Sequence, residues 1–256
     1  MSQLPLDVCP ACRGLGMVAR PPISGHGVFD SDDCRGWYTY GVNLADWMLP
    51  CRLCATDKRK RWLEEHSGLE SAECQNRADA FKLIRSEDNP GMLPQRRIAK
   101  TLIERAIASK AGLFTFWGDF GSGKTLALQV IINELRVQNL LDGYYASFAA
   151  VIDHLRTLFA TKQDASAYWD RMLSVPVLAL DEVTRFDDQK GWVKDRLFLL
   201  ADTRYRMRKS HLTVFATNSN PNSALPPDDA IGYLFSRMRE GQLCELRGDV
   251  RSVVRQ

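Results

Sequence analysis

The sequence predicts an α/β protein whose parallel sheet is covered by helices on both faces. Three observations carry this prediction. Beyond residue 110, short apolar runs alternate with amphipathic stretches; a glycine-rich loop joins one such run to the next helix; and a second run ends in adjacent acidic residues. The chain has 256 residues, 45% of them hydrophobic and 25% charged, which fits a globular protein of one or two domains and excludes a disordered or fibrous chain. A formal net charge of +3 is too mild for a protein that coats nucleic acid, so any such surface is local. No basic segment followed by an apolar core opens the chain, and no apolar run reaches membrane-spanning length, so a cytoplasmic protein without membrane contact is expected.

The elements follow in order. Residues 1–56 carry five of the seven cysteines, many glycines and an aromatic cluster (Phe29, Trp37, Tyr38, Tyr40, Trp47), a composition that reads as a small loop-and-hairpin module needing a staple. Residues 57–94 read as a helical connector, with helices expected over 57–86 and 94–110 around the turn Asn89-Pro90-Gly91. The remainder, 95–256, is the α/β domain. Strands are expected at 113–117, 144–148, 175–180 and 212–216, and helices near 124–138, 149–160, 191–208 and 228–239.

Gly118-Asp119-Phe120-Gly121-Ser122-Gly123-Lys124-Thr125 fits G-x-x-x-x-G-K-[ST] at every fixed position, between an expected strand and an expected helix. Glycines let successive backbone N–H groups turn toward a phosphate chain, and the helix start, from Lys124 through Leu126, adds its positive dipole end. Lys124 can reach the β- and γ-phosphates of ATP, and the Thr125 hydroxyl can ligate Mg²⁺. The strand before Asp181-Glu182 delivers Asp181 to the same metal, with Glu182 as the base for an attacking water. Asn218, at the end of the 212–216 strand, either orients that water or forms a turn before Ser219-Asn220-Pro221.

Two Cys-x-x-Cys pairs, Cys9 with Cys12 and Cys51 with Cys54, can supply the four thiolates of a structural Zn²⁺ site across a gap of 38 residues. His26 or Cys34 could replace a ligand, while Cys74 and Cys244 are expected to pack as apolar residues. Basic clusters stand at 58–61 (Lys58, Arg59, Lys60, Arg61) and 204–209 (Arg204, Arg206, Arg208, Lys209), either solvated helix faces or phosphate contacts.

From about residue 69 onward, these motifs resemble the AAA+ ATPases of the DnaC/DnaI helicase-loader and IstB transposition-helper group. Residues 118–125 match Walker A, 177–182 Walker B, and Ala216-Thr217-Asn218 sensor 1; Leu234-Phe235-Ser236-Arg237-Met238-Arg239 matches the arginine-finger box, and Gly248-Asp249-Val250-Arg251-Ser252 a short sensor 2 segment. Leu126-Ala127 and Trp117 depart from the group's usual residues without removing a catalytic group.

The resemblance implies an AAA+ P-loop NTPase fold, with Arg237 acting on the neighbouring subunit's nucleotide and Arg251 on its own. It also implies a bacterial or phage-type loader that hydrolyses ATP, forms homo-oligomers and binds a hexameric replicative helicase through the cysteine module. Single-stranded DNA would be gripped by the region 149–173, with Arg156, Lys162 and Arg171 as candidate phosphate contacts. A transposition helper delivering a transposase, and a nucleotide-switched binding scaffold, are the alternatives.

Overall fold

The computed structural model describes residues 17–19, 48–50, 52–78, 93–184, 192–225 and 229–249. Two compact units divide the chain, Met1–Trp62 and Leu63–Gln256.

In the smaller unit, β1 (Met17–Ala19) and β2 (Met48–Pro50) form an antiparallel pair in which Met17 faces Pro50 and Ala19 faces Met48. Helix α1 (Arg52–Glu65) starts within this unit, and Cys54 falls in its first turn. Arg59, Lys60 and Arg61 are exposed on it, and the Arg59 guanidinium lies 4.7 Å from the centroid of the Trp62 ring.

The larger unit holds the expected sheet. Its elements are α2 (Leu93–Ser109), β3 (Gly112–Gly118), α3 (Lys124–Asn139), β4 (Gly143–Ser147), α4 (Phe148–Ala160), α5 (Ser166–Ser174), β5 (Val177–Asp181), α6 (Trp192–Arg206), β6 (Leu212–Thr217), α7 (Ala230–Arg239) and β7 (Gln242–Leu246). The five strands are all parallel, in the order β4-β5-β6-β3-β7. The two-residue side-chain period sorts the core onto both faces. Phe114, Phe116, Val177, Ala179, Val214 and Ala216 pack with α2 and α3, whereas Leu113, Leu178, Leu180 and Phe215 pack with α4 to α7. Cys74 and Cys244 are buried as expected, and burial pushes the Cys244 thiol up to about 11. Among the described residues no helix is long and apolar enough to cross a membrane.

Three expectations change. The helix expected over 57–86 stops at Glu65. Ser67 follows it, then Gly68 at φ 74°, and a short 3-10 turn spans Glu73–Gln75. This segment lines the polar face of α3 and the free edge of β4. Tyr145 donates its N–H to the Ser67 carbonyl (2.7 Å), and a side chain on residue 68 would meet the Tyr145 carbonyl. Hydrogen bonding to the sheet edge and to α3 displaces the helical pattern. Strand β7 and helix α5 are additions to the expected elements; β7 is short and carries Gln242 and Glu245 among its apolar residues, so alternation there is weak.

Arg204, expected in an exposed basic cluster, is fully buried. It donates Nε to Thr213 Oγ1 (2.8 Å), Nη1 to the carbonyls of Leu173 and Val175 (3.1 and 2.7 Å), and Nη2 to that of Leu212 (2.7 Å). Helix α6 turns this one side chain inward to satisfy carbonyls at the ends of α5 and its following loop and at the start of β6, while Arg206 stays exposed and pairs with Asp202 at 2.8 Å.

The segment before the sheet domain is fastened most firmly at Glu134. Its carboxylate accepts Arg77 Nε and Nη2 (2.8 and 2.9 Å) and the Ala78 N–H (2.9 Å), and the Arg77 bond chiefly holds its pKa below the usual carboxylate range. A depressed carboxylate stabilises the fold above its unfolded pKa, and that contribution is lost as pH falls through the folded value. Glu134→Gln is therefore expected to cost about 2 kcal/mol at pH 7 in urea unfolding. The gap between parent and variant should begin to narrow as pH falls below the ordinary Glu range and close only below the depressed folded value.

Candidate functional site

The site lies at the carboxyl edge of the sheet, where ligands sit in open α/β folds. Strand β6 runs between β3 and β5, so the loop after β3 and the acidic end of β5 flank the end of β6. Trp117 pairs with Thr217, and Asn218 is the next residue beyond that pair.

The 118–125 loop takes the shape its glycines allow. Gly118, Gly121 and Gly123 have φ of 129°, 71° and 95°, a region that side chains strongly disfavour. Helix α3 starts at Lys124 with Gly123 as its N-cap, so the first N–H groups of the helix face the loop. The Lys124 ammonium curls back over the loop and donates to the carbonyls of Gly118 (3.0 Å) and Asp119 (2.5 Å). Burial lowers its pKa, opposed by the charges of Asp181, Asp119 and Glu182. Phe120 and Asp119 are exposed, Ser122 is buried, and the Leu126 side chain packs against the core, leaving only its main chain toward the site.

Thr125 Oγ1 donates to Asp181 Oδ2 at 2.6 Å, joining the two halves of the expected metal site. Two further donors fix Asp181: the Glu182 N–H on Oδ1 (2.8 Å) and the Tyr145 hydroxyl on Oδ2 (3.3 Å). Burial, more than the neighbouring carboxylates, pushes the Tyr145 phenol up, so it stays a donor. Glu182 sits at φ 52°, a left-handed conformation unusual for a residue with a side chain, which turns it out of the strand line immediately after Asp181. Beyond it, the Val183 N–H reaches the Ala216 carbonyl, and Thr184 Oγ1 bonds Thr217 Oγ1 (2.9 Å), stitching this turn to the end of β6. A hydroxyl and a carboxylate already in contact, beside a glycine loop at positive φ that opens into a helix N-terminus, suit a nucleotide phosphate chain with its divalent cation.

Arg237 is elsewhere. Helix α7 ends beside the start of β3: the Cα of Gly241 packs so close to Leu113 that a side chain there would meet the Leu113 carbonyl. The neighbours of Arg237 belong to α6 and α7 and not to the 118–125 loop. Arg237 donates Nη2 to the Tyr233 hydroxyl (2.7 Å), and its guanidinium lies 4.3 Å and 4.6 Å from the ring centroids of Tyr205 and Tyr233. Arg239 is exposed and donates to the Pro221 carbonyl at 2.6 Å.

Arg171, a candidate phosphate contact, is instead tied to Asp142 (3.0 Å) and to the His66 carbonyl (2.9 Å). Arg156 and Lys162 are exposed. Arg251, His26, Cys34, Cys9, Cys12, Cys51 and the side chain of Cys54 lie outside the described residues. Among the described residues no group of three or more His, Cys, Asp or Glu could hold a metal ion. Sequence reasoning missed Tyr145 and Arg96, which carry no motif; each reaches the site only through the fold.

No protein-family model matches the chain, and no curated protein matches it by sequence. Solved structures do share its fold. A DNA replication initiation factor superposes with a TM-score of 0.52 at 22% identity over 63% of this chain and 49% of that one. DnaI gives 0.52 at 20% identity over 70% and 92%, and domain III of the Thermotoga maritima replication initiation protein DnaA gives 0.51 at 21% identity over 60% and 63%. The chain thus spans about half the length of the first of these proteins. The expected parallel sheet flanked by helices is present, with β7 as a fifth strand, and it is the fold that these structures share.

Gly118→Ala tests the close packing at the loop. Its Cβ would collide with the Leu246 carbonyl, and φ is positive, so unfolding stability is expected to fall by at least about 2 kcal/mol. Wild-type stability in this variant would show that the loop and β7 are not in contact.

Proposed function

We propose that this protein is a Mg²⁺-dependent ATPase acting in DNA replication as a helicase loader, with its catalytic sites completed between copies of the chain. The 2.6 Å contact between Thr125 and Asp181 carries the reading, because it joins a phosphate loop to a metal carboxylate before any ligand is considered. In this reading the N–H groups of 118–124 hold the phosphates, Lys124 turns from the loop carbonyls to the β- and γ-phosphates, and Thr125 and Asp181 hold Mg²⁺. When bound, Mg²⁺ offsets the charge on the transferred phosphoryl group. Asn218 orients a water in line with the γ-phosphorus. Glu182 accepts the water's proton as its oxygen bonds to phosphorus and the bond to the ADP oxygen breaks. Arg237 of a neighbouring copy neutralises the developing charge, a role supported by its being held by Tyr205, Tyr233 and Asp202 and by no residue of its own loop. Arg251 contacts nucleotide in cis.

The helicase assignment rests on likeness to DnaI and to the replication initiation factor, together with the cysteine module. Cys9, Cys12, Cys51 and Cys54 hold Zn²⁺ in this reading. The antiparallel pairing of Met17 with Pro50 supports it, since Met17 follows Cys12 by five positions and Pro50 directly precedes Cys51 in sequence. The module 1–56 grips a hexameric helicase, 57–94 connects it, and 95–256 binds ATP and single-stranded DNA. With Arg171 engaged inside the fold, exposed Arg156 and Lys162 are the candidate contacts left in the region 149–173. A transposition helper would share the engine and differ in its partner.

Mixing variants tests both hydrolysis and its sharing between copies. Glu182→Gln and Arg237→Ala are each expected to bind ATP yet hydrolyse it at least about 100-fold more slowly than the parent. Together they should regain a measurable fraction of the parent rate, because mixed interfaces pair an intact Glu182 site with an intact Arg237. No recovery, with both variants still assembling, would refute action in trans. Capture of a hexameric replicative helicase by the full chain supports the loader, and capture of a transposase in its place supports the transposition helper.

A further inference from the structure

Arg96 stands in the first turn of α2, far from any motif, yet its guanidinium lies against the phosphate loop. It is 92% buried, and Nη2 donates to the Ser122 carbonyl at 3.2 Å. Nη1 is buried and has no hydrogen-bond partner among the described residues. A side chain on Gly123 would begin 3.3 Å from Nη1, 3.8 Å from Nη2 and 4.0 Å from Cζ, so the guanidinium lies across the Cα of that glycine and depends on its bareness. Burial lowers the pKa of Arg96, and none of the described carboxylates forms an ion pair with it. A buried cation with one neutral acceptor and one orphaned donor is poorly compensated within the fold. Buried Arg204 instead spreads four hydrogen bonds over neighbouring oxygens, and buried Arg136, whose Nε is also unpartnered, is compensated by an ion pair with Glu64 at 2.8 Å.

We propose that Arg96 is a positioning residue of the phosphate site, a fixed positive charge beneath Ser122-Gly123 that favours the diphosphate group of a bound nucleotide and sets the loop's shape for it. The inference rests on the nucleotide-binding reading above. In a P-loop the N–H groups at this stretch wrap the β-phosphate, so the charge acts on ATP and ADP alike and contributes little to AMP. The nucleotide-free fold bears the cost of this charge and the bound anion offsets it.

The full-length parent, Arg96→Met, Arg96→Lys and Lys124→Ala are compared by calorimetric titration with ATP, ADP and pyrophosphate, and by thermal unfolding without nucleotide. Arg96→Met should weaken all three ligands by a similar factor, about tenfold or more, while the nucleotide-free protein melts at or above the parent temperature. Arg96→Lys keeps the charge without the planar fork and should lose affinity by a smaller factor. A purely packing role predicts the opposite pattern. If Arg96→Met melts lower, or fails to fold, and Arg96→Lys binds all three ligands like the parent, the proposal is overturned. Parent-like binding by Arg96→Met, with Lys124→Ala binding weakly, also overturns it and leaves the nucleotide reading intact. Parent-like binding by Lys124→Ala refutes the nucleotide reading itself.

Discussion

The candidate site depends on one close approach of main chain to main chain. Strand β7 passes β3 so tightly that residue 118 has no room for a Cβ: the Leu246 carbonyl lies 2.1 Å from where one would sit, and the same carbonyl accepts the Asp119 N–H at 3.0 Å. Glycine at positive φ is what this geometry requires. Two further bonds hold the arrangement, the Gly248 N–H on Asp119 Oδ2 (2.9 Å) and the Arg247 N–H on Gln95 Oε1 (3.1 Å). The loop is thereby clamped between the start of α2 and the end of β7.

Charge is arranged around that clamp unevenly. Asp181 accepts three hydrogen bonds and is fixed, whereas Lys124 rests on loop carbonyls that it can exchange for stronger acceptors. The left-handed backbone of Glu182 is strain of the kind found where a side chain must be aimed, and it falls directly after Asp181. Arg237 lies against the rings of Tyr205 and Tyr233 and 4.0 Å from Asp202, held by α6 and α7 and not by the loop.

Much of this was legible in the sequence, and what was legible follows from local chemistry. Glycine spacing, the buried run before Asp181 and the lysine-threonine pair each encode their own environment, so the strands, the loop and the Thr125–Asp181 contact could be anticipated. Five features could not be read that way. Strand β7 is short and mixed in polarity, and it is a strand because β3 offers it an edge. Arg204 lies among exposed arginines and differs from them only in which way α6 faces. Tyr145 and Arg96 acquire their places through tertiary packing across distances of 36 and 26 residues. The segment around Ser67-Gly68 has a helical composition that hydrogen bonding to β4 overrides.

The central claim is that the loop, Lys124, Thr125 and Asp181 form one nucleotide site that needs a divalent cation. Calorimetric titration of the unmodified protein with ATP, in Mg²⁺ and again in EDTA, tests it most directly. The account predicts saturable binding of one nucleotide per chain in Mg²⁺ and a marked loss of affinity in EDTA. Absence of binding in Mg²⁺, or equal affinity in both conditions, would contradict it.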